Sequence, residues 1–204
     1  MATEILTAQQ YGIYRSIAGH LNATTILHKP GDFMRPPRNV PYVVDNLWEW
    51  KRPHEYPSRR HSAFANPQPA LAQQEGPKGG SVYSVEFKGK FKLGQLIGWK
   101  NSMHHPDCEW LRRLLFDRFG QQWLQGRLAD KEELGRLWIP CLTKDDMNEL
   151  FGRVNLLRAM RNEVYDAITY WNDVMLIEDI GHIPDAEGEL FFETVDGYYL
   201  RSLY

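Results

Sequence analysis

The stretch NDVMLIE, residues 172–178, marks the point where the period of the chain changes from helical to extended. A helical pattern reaches Tyr170, and the apolar run that follows predicts a short strand opened by Asp173. An acid in that position is held by rigid backbone on one side and can face a cleft on the other. It can also be an ordinary boundary residue between two elements, and the stretch alone leaves both interpretations open.

The order of elements on either side of this stretch predicts the fold class. In chain order they are strands at 11–17, 61–65 (with a helix from Pro69) and 81–87, helices from Pro106 and after Thr143, and strands at 188–195 and 198–203. Asp196-Gly197 between the last two strands is typical of a hairpin turn. Because strands and helices do not alternate strictly, we expect an α+β fold and not a doubly wound parallel sheet.

Two longer segments carry distinct patterns. The segment 101–170 is predicted to be mainly helical, with Thr143 and Asp146 as a capping-box pair and an apolar stripe from Met147 to Ile168. The segment 29–60 is rich in proline, and we expect it to be irregular and functional, because its aromatic residues argue against disorder. We assign residues 1–204 to a single domain.

Composition limits the classes of function. A net charge of −2 provides no overall basic field of the kind that marks general nucleic-acid binders, although cations cluster within 29–60 and acids within 172–196. Two cysteines are too few for a disulfide framework and indicate a reducing compartment. The first ten residues lack a signal-peptide pattern, and no apolar run approaches the ~20 residues of a membrane helix. We therefore expect a cytoplasmic protein with no membrane partner.

Three separated segments place polar groups on strand-like backbone. In the first, Arg15 follows Tyr14, and a guanidinium on a strand can bind a phosphate bidentately. The second supplies two arginines, two hydroxyls and a ring that can stack on a planar group: Ser58, Arg59, Arg60, Ser62 and Phe64. The third is Asp173, with Glu178 five residues later. The ordinary structural alternatives are a sheet-edge arginine, a polar loop and a boundary acid.

Taken in order, these segments resemble the ADP-ribosyltransferase superfamily. The chain offers Tyr14-Arg15, then SAFANP at 62–67 with Ala70, then VYSV at 82–85, and finally DVML at 173–176. The similarity covers roughly residues 11–180, and its specificity comes from the order of the motifs. It implies a split, mixed β-sheet core with the helical segment 101–170 as an insertion.

The resemblance also implies that NAD is the substrate and that no metal takes part. Asp173, where the family usually has glutamate, would stabilise the cationic sugar, and Glu178 is the alternative acid. Arg15, where many members have histidine, would hold the diphosphate or the adenosine ribose. Ser62 would orient the acid, and Phe64 or Tyr83 would flank the nicotinamide. The remaining NAD-binding positions would be Tyr14, Ser58, Arg59 and Arg60.

The function implied by the resemblance is mono-ADP-ribosylation of a macromolecule by a toxin-like or effector-like enzyme. A protein acceptor is favoured over a nucleic acid, and a neutralising partner protein is a further expectation. Two alternatives remain open. The chain can be an NAD glycohydrolase, with water as the acceptor, or an inactive binding module that retains the fold, which aspartate at position 173 makes credible.

Two further motifs are better explained as structure. His104 and His105 are adjacent and therefore diverge, and no second ligand pair lies nearby in sequence, so we expect no metal site. The glycine-rich segment 76–81 precedes a strand instead of a helix and lacks phosphate-loop spacing, which indicates a turn.

Overall fold

The computed structural model describes residues 12–19, 25–29 and 34–203, without the side chains of residues 26, 121 and 122. The described strands are β1 Tyr14–Ile17, β2 Thr25–His28, β3 Ala63–Ala65, β4 Ser81–Phe87, β5 Phe91–Leu96, β6 Val174–Leu176, β7 Leu190–Thr194 and β8 Tyr198–Ser202. The helices are α1 Tyr42–Lys51, α2 Pro69–Glu75, α3 Asp107–Gln125, α4 Leu128–Gly135, α5 Lys144–Arg153 and α6 Asn155–Ala167. Tyr11, the predicted start of the first strand, and the first ten residues lie outside the described part.

The strands form two four-stranded sheets. Sheet A has the order β1-β4-β8-β2 and sheet B has the order β3-β7-β5-β6. Every strand pair in the described residues is antiparallel. The predicted α+β class is therefore confirmed, while the mixed sheet expected within it is replaced by two antiparallel sheets.

The chain passes from one sheet to the other at two turns. Strand β4 pairs with β8 in sheet A, and β5 pairs with β7 in sheet B. The turn between β4 and β5 and the turn between β7 and β8 therefore each connect the two sheets. The predicted hairpin at Asp196-Gly197 is therefore wrong, because the turn forms but its two strands belong to different sheets. Gly197 has φ +93°, and a Cβ there would collide with the carbonyl oxygen of His28, so the turn requires glycine.

The two sheets and the helices form layers, with sheet B in the middle. Leu190 and Phe192 of β7 belong to a core cluster that also contains Tyr83 and Leu200 of sheet A. Phe191, between them, belongs to a second cluster formed mostly by the helices. The alternation follows from the period of two along a strand, and it explains why β7 is apolar on both faces.

The helical segment is confirmed, but it contains a break. Helix α5 begins with the predicted capping box: the backbone N–H of Asp146 donates to Thr143 Oγ1 (3.1 Å), and the backbone N–H of Thr143 donates to Asp146 Oδ2 (2.8 Å). Val154 then adopts an extended conformation. The single apolar stripe of the sequence is thus divided between α5 and α6.

The segment 29–60 is not wholly irregular, because it contains helix α1. All residues from Val43 to Trp48 are buried, including two polar ones. Asn46 Nδ2 donates to the carbonyl oxygens of Leu137 (2.9 Å) and Ile139 (2.8 Å), and Asp45 pairs with Arg60. A helix buried on all sides has no polar face, so it lacks the one-sided periodicity from which a surface helix is recognised.

Candidate functional site

A cavity of about 500 Å³ lies at the junction of the two sheets. Here β1 of sheet A meets the end of β3 of sheet B through backbone hydrogen bonds of 2.8 Å in each direction between Tyr14 and Asn66. The walls come from β1, β3, the end of α2, the segments 35–39 and 100–103, the turn with Arg59 and Ser62, Asp45 of α1, and Glu189 at the start of β7. The volume lies within the range of roughly 300–1,000 Å³ found for small-molecule sites.

Two buried polar atoms in the cavity wall have no hydrogen-bond partner in the described part of the chain. They are Ser16 Oγ and Arg59 Nε. A Cβ at Gly76 or Gly80 would clash with the Ser16 hydroxyl, so the two glycines let the backbone close over it. Buried polar groups are normally hydrogen-bonded. Water or polar groups of a ligand in the cavity would supply the missing hydrogen bond of each atom.

The carboxylate of Glu189 is buried and fixed. Its Oε2 accepts hydrogen bonds from Arg59 Nη1 (3.2 Å), from the backbone N–H of Ser102 (3.2 Å) and from Ser102 Oγ. Its main chain is anchored beside the end of β5, with N–H donating to Trp99 O and C=O accepting from Leu96 N, both at 2.9 Å. Oε1 accepts no hydrogen bond from the residues described, which leaves that oxygen available to a ligand.

Arg59 holds this carboxylate inside an aromatic shell. Its Nη1 also donates to Ser102 Oγ (2.6 Å) and to Tyr170 Oη (2.7 Å), and its guanidinium lies 4.8 Å from the centre of the Phe64 ring. Burial acts to lower the pKa of Arg59, but the acidic groups around it, among them Glu189 and Asp45, outweigh burial and that pKa is raised. Burial, opposed by Arg59, raises the pKa of Tyr170 to about 12. Arg59 therefore stays charged and Tyr170 stays neutral, so the cluster keeps one opposite charge for the carboxylate.

A second part of the wall is cationic. Arg15 Nη1 donates to Tyr198 Oη at 2.8 Å, and burial lowers the pKa of Arg15. Arg35 and Arg38 also line the cavity, and both are exposed. None of these three guanidiniums has a carboxylate partner within the described ranges. Unpaired guanidiniums suit a phosphate-bearing ligand, because they can bind its oxygens bidentately.

Four of the ten sequence-predicted site residues line this cavity: Arg15, Arg59, Ser62 and Phe64. They come from β1, from the turn before β3 and from β3 itself, so two of the three predicted segments do converge. The Ser62 hydroxyl donates to the carbonyl oxygen of Ser58 (2.7 Å) and so stabilises its own turn. We expected Ser62 to orient the acid at position 173. In the structure a different serine, Ser102, binds a different acid, Glu189.

Four other predicted residues have structural roles outside the cavity. Tyr14 pairs with Asn66 through its backbone, and Tyr83 lies in the core between the sheets. The hydroxyl of Ser58 donates to Glu49 Oε2 (3.0 Å). Arg60 is buried, and its Nε donates to Asp45 Oδ2 at 2.8 Å. It also donates to the carbonyl oxygen of Leu142, so Arg60 connects helix α1 to the segment that precedes α5.

The structure does not bring Asp173 or Glu178 to the cavity. Asp173 precedes β6 at the edge of sheet B, and its Oδ2 lies 3.2 Å from His105 Nε2. His105 Nδ1 accepts a hydrogen bond from the backbone N–H of Asp107 (3.2 Å), so the ring proton is on Nε2 and is donated to Asp173. Glu178 is exposed beyond the end of the strand. The expectation fails because β5 and β7 separate β6 from β3.

Glu189 is the acid that sequence reasoning missed. It follows Gly188 and opens the strand predicted at 188–195, which is the same local signal that drew attention to Asp173. What distinguishes the two is their place in sheet B, where β7 lies next to β3 and β6 lies at the far edge. That order is set by contacts between distant segments, so no local pattern reports it.

Comparison with known proteins gives no further assignment: no protein-family model, no curated protein and no solved structure matches this chain. Across residues 12–19, 25–29 and 34–203, no helix is both long enough and apolar enough to cross a membrane. Within the same ranges, no group of three or more His, Cys, Asp or Glu residues is arranged to hold a metal ion.

Proposed function

We propose that the chain binds NAD in the cavity and transfers its ADP-ribose group to a macromolecular acceptor, with Glu189 as the catalytic carboxylate. The observation that carries this proposal is the shared cavity of Glu189, a buried and fixed acid, and Arg15, a guanidinium with no carboxylate partner among the residues described. Ser16 Oγ and Arg59 Nε, which also lack a hydrogen-bond partner in that part of the chain, support a polar ligand.

Glu189 acts on the charge that develops when the glycosidic bond breaks. The bond between ribose C1′ and the nicotinamide nitrogen breaks with both electrons going to the nitrogen, so nicotinamide leaves neutral and the sugar becomes an oxocarbenium-like cation. The free oxygen Oε1 accepts a hydrogen bond from a ribose hydroxyl, and the negative charge stabilises the cation. A preorganised charge in a water-poor site is worth several kcal/mol in such a step.

The neighbours of Glu189 fix its position and leave one of its oxygens free. Arg59 and both donors of Ser102 bind Oε2, so one carboxylate oxygen is held while the other points to the substrate. In this scheme Phe64 packs on the nicotinamide ring and Arg15 binds the diphosphate. The acceptor nucleophile then forms a new bond to C1′ and releases its proton to solvent.

We infer a macromolecular acceptor because Arg35 and Arg38 line the cavity and are exposed, so a large partner can reach them. A protein side chain remains the favoured acceptor, and a nucleic-acid base is the alternative. These two arginines would contact an anionic surface of either partner.

The test is incubation of the purified chain with NAD labelled on the adenine side, with and without a cell lysate, and with nicotinamide measured in parallel. Nicotinamide release together with label on a macromolecule supports the transferase. Release without transfer indicates NAD hydrolysis, with water as the acceptor. No release and no NAD binding by calorimetry would overturn the proposal and leave a binding module of another kind.

A further inference from the structure

A second concave surface lies in the helical segment, away from the cavity. A groove of about 710 Å³ runs between α3 and the end of α4 with the turn that follows it. Its rings are Phe116, Phe119, Trp123 and Trp138, and we call it the aromatic groove. It has no part in the proposed NAD chemistry.

The aromatic groove exposes more apolar surface than packing within the chain requires. Phe119 forms the floor and is buried, but Phe116 is 70% exposed, Trp123 42% and Trp138 41%. Leu124 at the end of α3 and Leu128 at the start of α4 are 76% and 79% exposed. Single exposed apolar residues are ordinary, whereas a contiguous patch of large ones marks a binding surface.

The shape of the groove fits one α-helix. Arg112, Phe116, Phe119 and Trp123 follow one another at spacings of four, three and four residues, so they form one stripe along α3. With about 1.5 Å of rise per residue, the stripe is roughly 16 Å long, which equals about three helical turns of a partner. Gly120 and Gly135 also line the groove, and their missing side chains allow a partner backbone to approach closely.

The charge at the lip of the groove selects the chemistry of the partner. Arg112 and Arg113 are exposed, and neither forms an ion pair with any residue that the structure describes. Other arginines of these helices are neutralised within the chain, as Arg118 is by Glu163 and Arg136 is by Glu133. Glu109 also lines this end of the groove, so two arginines and one carboxylate leave the lip with a net positive charge beside an apolar surface.

We propose that the aromatic groove binds an amphipathic helix of a partner protein. The helix places apolar residues at positions i, i+3 or i+4, and i+7 on the rings, with acidic residues at the end that meets Arg112 and Arg113. A lipid surface fits less well, because the groove is concave. A second copy of the chain fits less well too, because a two-fold contact would place the same concave surface on both sides and leave the groove unfilled.

The test uses the full chain and a display library of 14-residue helical peptides. Their apolar stripe is varied among large hydrophobic residues, and their flanking positions are varied among Glu, Lys and Ala. We expect enriched peptides to carry Glu at one end, and we expect Phe116→Glu to weaken their binding at least tenfold. The double variant Arg112→Glu/Arg113→Glu should shift the selection from Glu to Lys.

Matched controls separate this proposal from misfolding and from the proposed enzyme activity. Val195→Glu introduces the same charge at a residue that is 77% exposed in a distant turn, and peptide binding should not change. Circular dichroism and nicotinamide release should be unaltered in Phe116→Glu, whatever the activity of the parent chain. Failure to enrich any peptide, or peptide binding that survives Phe116→Glu, would overturn the inference. Binding to anionic vesicles that Phe116→Glu abolishes would show that the groove binds lipid instead. A dimer that Phe116→Glu dissociates would show that a second copy of the chain occupies the groove.

Discussion

Replacing Arg59 by methionine tests the buried cluster that supports the candidate site. Methionine keeps an apolar side chain of similar length within the rings of Trp48, Phe64 and Tyr170, but it removes the charge and its hydrogen bonds. The Glu189 carboxylate then remains in a buried position with no opposite charge. Removing one partner of a buried ion pair in this way costs about 3–5 kcal/mol.

The cost is measured as the free energy of unfolding in urea at pH 7, with an unchanged slope as the check on two-state behaviour. For a chain of about this size, 1 kcal/mol moves the thermal midpoint by roughly 2–4 °C, so a fall of about 6–20 °C is expected. The matched control is Arg118→Met, which breaks the exposed pair with Glu163 and should change little.

The double variant Arg59→Met/Glu189→Gln decides whether the loss comes from the uncompensated charge. With both charges removed, we expect the double variant to be more stable than the sum of the single losses predicts, by about 2 kcal/mol. A loss below about 1 kcal/mol for Arg59→Met, or strict additivity in the double variant, would show that Arg59 does not compensate the buried charge of Glu189.

Three further outcomes follow from the same structure. Gly197→Ala should lower the free energy of unfolding, measured in urea, by about 1–3 kcal/mol, because Gly197 has a positive φ. Gly152→Ala on the open face of α5 should not lower it. Equal effects of the two substitutions would contradict a special requirement for glycine at position 197. Burial raises the pKa of Cys108 to about 11, so only about one thiol in a thousand is ionised at pH 8. Mass spectrometry should show far slower alkylation of Cys108 in the native chain than in urea, and equal rates would exclude a buried thiol. Arg15→Gln should weaken NAD binding roughly 10- to 100-fold by calorimetry, whereas Arg201→Gln, on the exposed surface of the same sheet, should bind NAD as the parent does.

The sequence predicted those parts of the fold whose signals are local. Strand β4 forms at the predicted residues, and Thr143 and Asp146 cap α5 as their spacing indicates. The acid-rich C-terminal part contains the two expected strands. Helix α1 could not be predicted in this way, because burial on every side leaves no polar face to mark its period.

The sequence predicted two of the segments that form the candidate site, but not the acid that shares the cavity with them. Arg15 and Phe64 were found because a guanidinium and a ring beside predicted strands are visible in the sequence. The choice between Asp173 and Glu189 depends on which strand lies beside β3, and sheet order is fixed by contacts between distant residues. Both acids open a strand, so local sequence reasoning had no means to rank them.

Three carboxylates of the described residues line the cavity, of which Asp45 is paired with Arg60 and Glu75 accepts a hydrogen bond from Asn101. The proposal therefore assigns the chemistry on NAD to Glu189 and not to Asp173. The most direct measurement is the rate of nicotinamide release from NAD by Glu189→Gln and by Asp173→Asn, each checked by circular dichroism to be folded at the assay temperature. We expect Glu189→Gln to lower the rate about 100- to 1,000-fold, as loss of a preorganised charge does, and Asp173→Asn to keep the parent rate within about twofold. A parent-like rate in Glu189→Gln, with Asp173→Asn inactive, would show that Asp173 and not Glu189 acts on NAD.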